Sequence, residues 1–176
     1  MELLDKNGLT EAQAIADYKT KNYPKPGLTA DIIIFRRDAG EVKVLLIRRG
    51  GHPFLGKWAT PGGFADQNEP IETTAARELQ EETGVEGLDL HLVDVFSAPG
   101  RDPRGWTVSA AYYALIDHDL PVRAGDDAAA ARWFTLVRAG ETLTLTSGDL
   151  RLTLADLAFD HADILTKAIH AAGLAF

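Results

Sequence analysis

The chain has no cysteine, so neither a disulfide framework nor a thiolate metal site is open to it, and a cytoplasmic location is the default expectation. It lacks any apolar run long enough to cross a bilayer, and its N-terminus, MELLDKNG, has neither the basic start nor the apolar stretch of a secretion signal. No membrane partner is therefore expected. Positive charge is scarce too: 18 Lys and Arg against 26 Asp and Glu leave a formal net charge of -8. That balance disfavours nucleic acid as a partner, and an anionic small molecule would need a local basic patch. What is present is a 45% hydrophobic fraction over 176 residues. That is enough for one domain with its own core and too much for disorder.

Residues 1–27 read as a helical appendage. Thr10 with Gln13 three positions on makes a capping-box start for a short helix, which Pro24 and Pro26 end. Residues 28–176 then read as one mixed α/β domain. LTADIIIF and VKVLLIRR, joined by the turn RRDAGE, predict a β-hairpin. LHLVDVF, TVSAAYYALI, ARWFTL and ETLTL are further strand-like runs. From Thr153 to about Ala172, Leu154, Leu157, Ala158, Ile164, Leu165 and Ile169 recur as one face of an amphipathic helix.

The chemistry concentrates in GGFADQNEPIETTAARELQEETGV, residues 62–85. Pro61, Gly62 and Gly63 form a turn that a helix cannot absorb. From Pro70 to Thr83 the residues favour helix, with Pro70 suited to the first turn and Gly84 to the C-terminal cap. Ile71, Ala75 and Leu79 share an apolar stripe. Glu78 and Glu82 are four apart and Glu78 and Glu81 three apart, so the three converge on a neighbouring face. Bare, that cluster destabilises the helix and raises carboxylate pKa values; a hard divalent cation with oxygen ligands, Mg2+ or Mn2+, removes the conflict. Arg77 beside them is placed to orient a glutamate by a charge-assisted hydrogen bond. The plain alternative is a solvated acidic face.

The spacing decides between them. Gly63, five residues, Glu69, seven residues, then RELQEETGV from Arg77 to Val85 matches every fixed position of the Nudix box. The sequence thus resembles the Nudix hydrolases. The resemblance implies an α/β/α sandwich with a mixed sheet, the box as a loop–helix–loop, and hydrolysis of a nucleoside diphosphate linked to another group. It implies that Glu78, Glu81, Glu82 and the Gly62 carbonyl hold the metal, that Arg77 orients a catalytic glutamate, and that Glu69 supports it near the helix start. It also implies a homodimer.

Substrate choice lies outside the box. Pro99 stands fifteen residues past Gly84, as in Nudix ADP-ribose pyrophosphatases, and GRDPRGW is similar to members of that group and to related Nudix proteins of NAD metabolism. Arg101 and Arg104 in this loop suit bidentate contact with a diphosphate or terminal phosphate; otherwise they are solvated, with Asp102 as partner. Arg48, Arg49 and Lys57 either counter the negative field of the diphosphate or are surface charges at a strand end. Trp58 and Phe54 read as packing beneath the turn, Trp133 as core, and Trp106 as a hairpin core position with stacking on adenine as the other reading. Asp126 and Asp127, in the small-residue loop before the strand from Ala131, sit where Nudix enzymes often carry an extra carboxylate, so Asp127 is a candidate base. The family more often has glutamate there. The five histidines have no ligand spacing and receive no chemistry.

The expected substrate is therefore ADP-ribose or a related nucleoside diphosphate sugar, split to AMP and ribose 5-phosphate. The alternatives are a nucleoside triphosphate or dinucleotide polyphosphate hydrolase and a non-catalytic ADP-ribose-sensing module. Regulators of the last kind carry a winged helix after the Nudix domain and tend to have broken boxes. Here the box is whole, and LAFDHADILTKAIHAAGLAF is expected to leave no room for such a segment.

Overall fold

Residues 29–35 of the first predicted strand are all buried, on both faces, which puts that strand at the centre of a sheet covered on two sides. The computed structural model describes residues 3–123 and 128–176. The central strand is β1 (Gly27–Asp38), and it forms the predicted hairpin with β2 (Glu41–Arg49). Ala39 and Gly40 turn the corner with φ of 48° and 90°, the paired positive values of a two-residue hairpin loop. β5 (His91–Phe96), β6 (Thr107–Ile116), β7 (Ala128–Ala139), β8 (Thr142–Ser147) and β9 (Leu150–Thr153) complete the order β5-β6-β1-β2-β7-β8-β9. β6 runs parallel to β1 and the other named pairings are antiparallel, so the sheet is mixed.

Alternation along β1 feeds two cores. Ile32 and Ile34 face α2 (Ile71–Thr83) and meet Ala75 and Leu79. Ile33 and Phe35 face α3 (His161–Ala171) and meet Ile164, Leu165 and Ala168. This is the α/β/α sandwich. Truncating a buried contact such as Leu79 to alanine would cost roughly 2–5 kcal/mol. The N-terminal helix α1 (Glu11–Thr20) forms with its Thr10–Gln13 capping box and buries none of its residues.

The tail departs from the single predicted helix. A 3-10 turn at Leu154–Asp156 and α3 are separated by residues 157–160. The Ala158 N–H donates to the Trp58 carbonyl at 2.7 Å, and Phe159 takes a φ of 50°. Backbone pairing to the sheet has overridden the apolar periodicity there. That break matters, because it delivers the start of α3 to a fork in the sheet. β1 pairs with β2 only over Phe35–Asp38. Further along, β2 pairs with β3 (Trp58–Ala59), whereas β1 pairs with β4 (Gly62–Phe64). Thr60 and Pro61 bridge the two short strands at the fork.

Candidate active site

Two glycines make the fork passable, for different reasons. Gly62 lies opposite Asp31 on β1 with φ 152°, and a Cβ there would stand 2.2 Å from the Ala30 carbonyl oxygen. A Cβ on Gly63 would fall 2.5 Å from the carboxylate of Glu78. The first glycine lets β4 close on β1; the second leaves room for an acidic side chain from α2.

α2 supplies that side chain because of how it starts and stops. Pro70 caps its N-terminus in an extended conformation, and Gly84 closes it in the left-handed region at φ 72°. With Ala75 and Leu79 buried, Glu78 and Glu82 are carried to the fork. Glu82 Oε2 accepts the Gly62 N–H at 2.8 Å. Burial pushes the Glu82 carboxyl up to about 8 against that hydrogen bond, and the nearby Glu78 charge adds to the rise. Burial also raises Glu78, opposed by Arg77.

Arg77 is fully engaged. Its Nε and Nη2 donate to both oxygens of Glu69 at 3.0 Å, Nη1 to Glu78 at 2.7 Å and Glu81 at 3.1 Å, and Nη2 to the Phe64 carbonyl at 3.0 Å. This arginine, with the Asp66 N–H and the Thr74 hydroxyl, holds Glu69 down to about 2. Glu69 thus ties the helix start to the arginine, and the arginine fixes the rotamer of Glu78.

These donors fit a hard divalent cation. Glu78 and Glu82 offer partly desolvated carboxylate oxygens of like charge beside a glycine backbone, and burial raises the proton affinity of both. Glu81 is not gathered with them: it is well exposed and held at Arg77, and among the described residues no three acidic or imidazole groups converge as they stand.

The opposite side of the fork is polar but charge-balanced. Asp31, on the α3 face of β1, is 7% exposed. Its Oδ2 accepts from Ser109 Oγ and lies 3.6 Å from Arg101 Nη2. Arg101 donates through Nε and Nη2 to the two oxygens of Asp160 at 2.8 and 2.7 Å. His161 Nδ1 is 3.0 Å from the Thr60 backbone nitrogen, and Nε2 is 3.5 Å from Asp31 Oδ1. Burial lowers the His161 pKa despite the acidic neighbours.

The predicted substrate residues therefore separate. Arg49 and Arg104 both face the cleft, one guanidinium 5.0 Å and the other 5.3 Å from the Phe159 ring centre. Arg104 also covers Phe64 at 4.9 Å and pairs with Asp102 at 2.7 Å. Arg48 alternates to the other side of β2 and binds the Gly56 carbonyl, and Lys57 binds the Ala155 carbonyl. Arg101 is not a solvated loop arginine, since its side chain is 6% exposed and locked to Asp160. Pro99 borders a separate surface groove beside Asp163 and Lys167. Trp58 packs edge-on to Phe134 as expected. Trp106, 58% exposed, is not a core residue, because the loop turns its ring outward. Phe54 packs against Phe159 at 4.7 Å, and Trp133 is half-buried under Arg36. Asp126 and Asp127 lie outside the described residues.

Asp31 and His161 went unassigned in the sequence. One signal for the first was available: an aspartate inside the apolar run LTADIIIF can be buried only with dedicated partners. His161 gave none, because its partners are 101 and 130 positions away in the chain.

Comparison with known proteins agrees with this architecture. The NUDIX domain family model matches residues 25–155. The chain is 37% identical over 164 residues to the ADPR responsive transcriptional repressor NtrR of Acinetobacter baylyi, covering 92% of this chain and 60% of the repressor. It is 36% identical to an ADP-ribose pyrophosphatase of Methanocaldococcus jannaschii, covering 84% of this chain and 75% of that protein. Among solved structures, the NUDIX domain of Shewanella oneidensis NrtR complexed with ADP ribose superposes with a TM-score of 0.73 at 31% identity, covering 93% of this chain and 99% of that one. A MutT/nudix family protein from Enterococcus faecalis gives 0.82 at 40% identity, covering 94% and 70%. The chain belongs to the Nudix family, in its ADP-ribose pyrophosphatase-like part. It spans less than two thirds of the repressor's length.

Proposed function

We propose that this protein is a Nudix pyrophosphohydrolase that splits ADP-ribose, or a close nucleoside diphosphate sugar, into AMP and ribose 5-phosphate with Mg2+ or Mn2+. One observation carries the reading: two half-buried carboxylates of like charge, Glu78 and Glu82, face a glycine edge with arginines across the cleft. Glu78, Glu82 and the Gly62 carbonyl would hold the cation, and Glu81 would join them only by leaving Arg77. The bound cation would neutralise phosphate oxygens and lower the pKa of the attacking water. The chain's own residues do the rest. Arg77 holds Glu78 in place, Arg104 and Arg49 attract the diphosphate, and Phe159 keeps both guanidiniums against the cleft. The similarity to an ADP-ribose pyrophosphatase and to a domain complexed with ADP ribose supports the choice of substrate.

A second reading, an ADP-ribose-sensing domain, is favoured by the 37% identity to an ADPR responsive repressor. The intact acidic set argues for hydrolysis instead, since sensing requires no water activation. A panel of ADP-ribose, ADP-glucose, dGTP and diadenosine polyphosphates with product identification decides. Preferential release of AMP from ADP-ribose is expected. Faster turnover of dGTP or of the dinucleotides would overturn the substrate, and tight ADP-ribose binding with no turnover would establish the sensor.

A further inference from the structure

The phosphate chemistry leaves Asp31 and His161 unused, yet both open on the cleft on the far side of β4 from Glu78 and Glu82. Their hydrogen bonding is incomplete in a specific way. The Thr60 backbone N–H can only donate, so His161 Nδ1 is the acceptor and the ring proton sits on Nε2. That Nε2–H reaches Asp31 Oδ1 at 3.5 Å, longer than an ordinary N–H···O bond. Oδ2 is taken by Ser109 and Arg101, whereas Oδ1 faces His161. An acceptor and a donor thus stand side by side, each with capacity to spare.

Their surroundings narrow what they meet. The Asp31 carboxylate opposes a phosphate, and the Nε2–H donor opposes a cation. A hydroxyl donates and accepts at once, and two adjacent hydroxyls match the adjacent pair. Ile47 and Phe159 wall the space with the apolar surface a sugar ring can lie against. The Arg101–Asp160 pair keeps the arrangement rigid by clamping the loop after β5 to the start of α3.

We propose that Asp31 and His161 form a subsite for the vicinal hydroxyls of a pentose attached to the diphosphate. It rests on the nucleoside diphosphate sugar reading above. ADP-ribose carries two riboses, one in the nucleoside and one beyond the diphosphate, and both have this diol.

Equilibrium binding in EDTA, read by calorimetry, tests it without turnover. The ligands are ADP-ribose, its 2-deoxy analogue in the adenosine ribose, and its 2-deoxy analogue in the distal ribose. Wild-type protein should bind one analogue about tenfold more weakly than ADP-ribose, as expected for one lost hydrogen bond to a charged group, and that analogue identifies the ribose. In Asp31→Asn and His161→Asn the discrimination should shrink to less than twofold, with thermal melts verifying the fold. Equal binding of all three ligands by the wild type overturns the subsite. So does an equal loss for all three in folded variants, which would mark a structural role. If the variants do not fold, the wild-type series decides alone. Discrimination retained by a protein that turns over no nucleotide would leave the subsite standing and sink the hydrolase reading.

Discussion

The two walls of the fork handle charge in opposite ways. On the α2 wall, Glu78 and Glu82 stand half-buried side by side, and Arg77, which holds Glu78, is shared with Glu69. On the α3 wall, Arg101 answers Asp160 and Asp31, and a neutral histidine completes the set. The ionised first wall is destabilised by burial and like charge, which the proposed cation would offset. The second is balanced in charge as it stands and ties three elements together. Removing charge from the first should therefore release strain and abolish chemistry, whereas removing charge from the second should loosen the fold.

The largest expected effect is Glu82→Gln. Losing a cation ligand should lower kcat by roughly a thousandfold or more, about 4 kcal/mol in barrier. Its stability signature is opposite in sign. Glu82 is raised from an ordinary 4.5 to about 8, so the folded state holds a proton that the unfolded state has released. Its contribution is present below pH 4.5 and lost as pH rises through about 8. Without divalent cation, the wild type should accordingly lose stability relative to Glu82→Gln across that window. Added Mg2+ or Mn2+ should restore the wild type alone. Near-normal turnover of the variant at saturating cation would remove the contrast between the walls.

Arg101→Ala probes the other wall. It strands two carboxylates, one beside a buried histidine, and should cost about 3 kcal/mol or more in denaturant unfolding. Arg101→Lys should recover only part of this, because an ammonium cannot reproduce the two-pronged contact to Asp160. An unchanged unfolding midpoint with a raised KM would return Arg101 to the role of a substrate contact.

Arg104 belongs to the same GRDPRGW loop but should behave differently. Its side chain is 43% exposed and lies over Phe64 and Phe159 in the cleft. Arg104→Ala should raise KM about tenfold, a charged hydrogen bond to an anion being worth roughly 1.5–3 kcal/mol, and should lower stability less than Arg101→Ala. Equal stability losses in the two variants would mean that the loop acts as a single structural clamp.

That division within one loop shows what sequence can carry. Glu78, Glu82 and Arg77 were legible because helical geometry converts spacing into a shared face, and the Gly62–Gly63 turn lies a fixed distance before them. Their cap at Gly84 and stripe at Ala75 and Leu79 were readable for the same reason. Arg101 and Arg104 are three residues apart with identical chemistry. Their fates diverge because Asp160, 59 positions beyond Arg101, arrives only after the tail breaks at Phe159. The break itself was hidden, since the apolar period runs on through Leu157 and Ala158 while a backbone bond to Trp58 interrupts the helix. Local periodicity reports which face a residue takes, not which distant strand will claim its backbone.

The smallest expected effect is the acid response of His161. It faces Asp31 and Asp160, which favour its charged form, and Arg101 and Arg49, which oppose it; burial outweighs them and its pKa lies below 6.5. The unfolded chain therefore takes up a proton at about pH 6.5 that the folded protein refuses. Stability from this site is complete above pH 6.5 and falls as pH drops towards the folded value, by at most about 1.4 kcal/mol per pH unit. Asparagine at this position keeps an acceptor for the Thr60 N–H but cannot titrate. The wild type should therefore lose more stability than His161→Asn as pH falls below 6.5, measured by denaturant unfolding at each pH. Parallel curves for the two proteins would mean that His161 accepts its proton in the folded state. The α3 wall would then carry a variable charge, and its balanced character, on which the contrast with the α2 wall depends, would hold only above that pH.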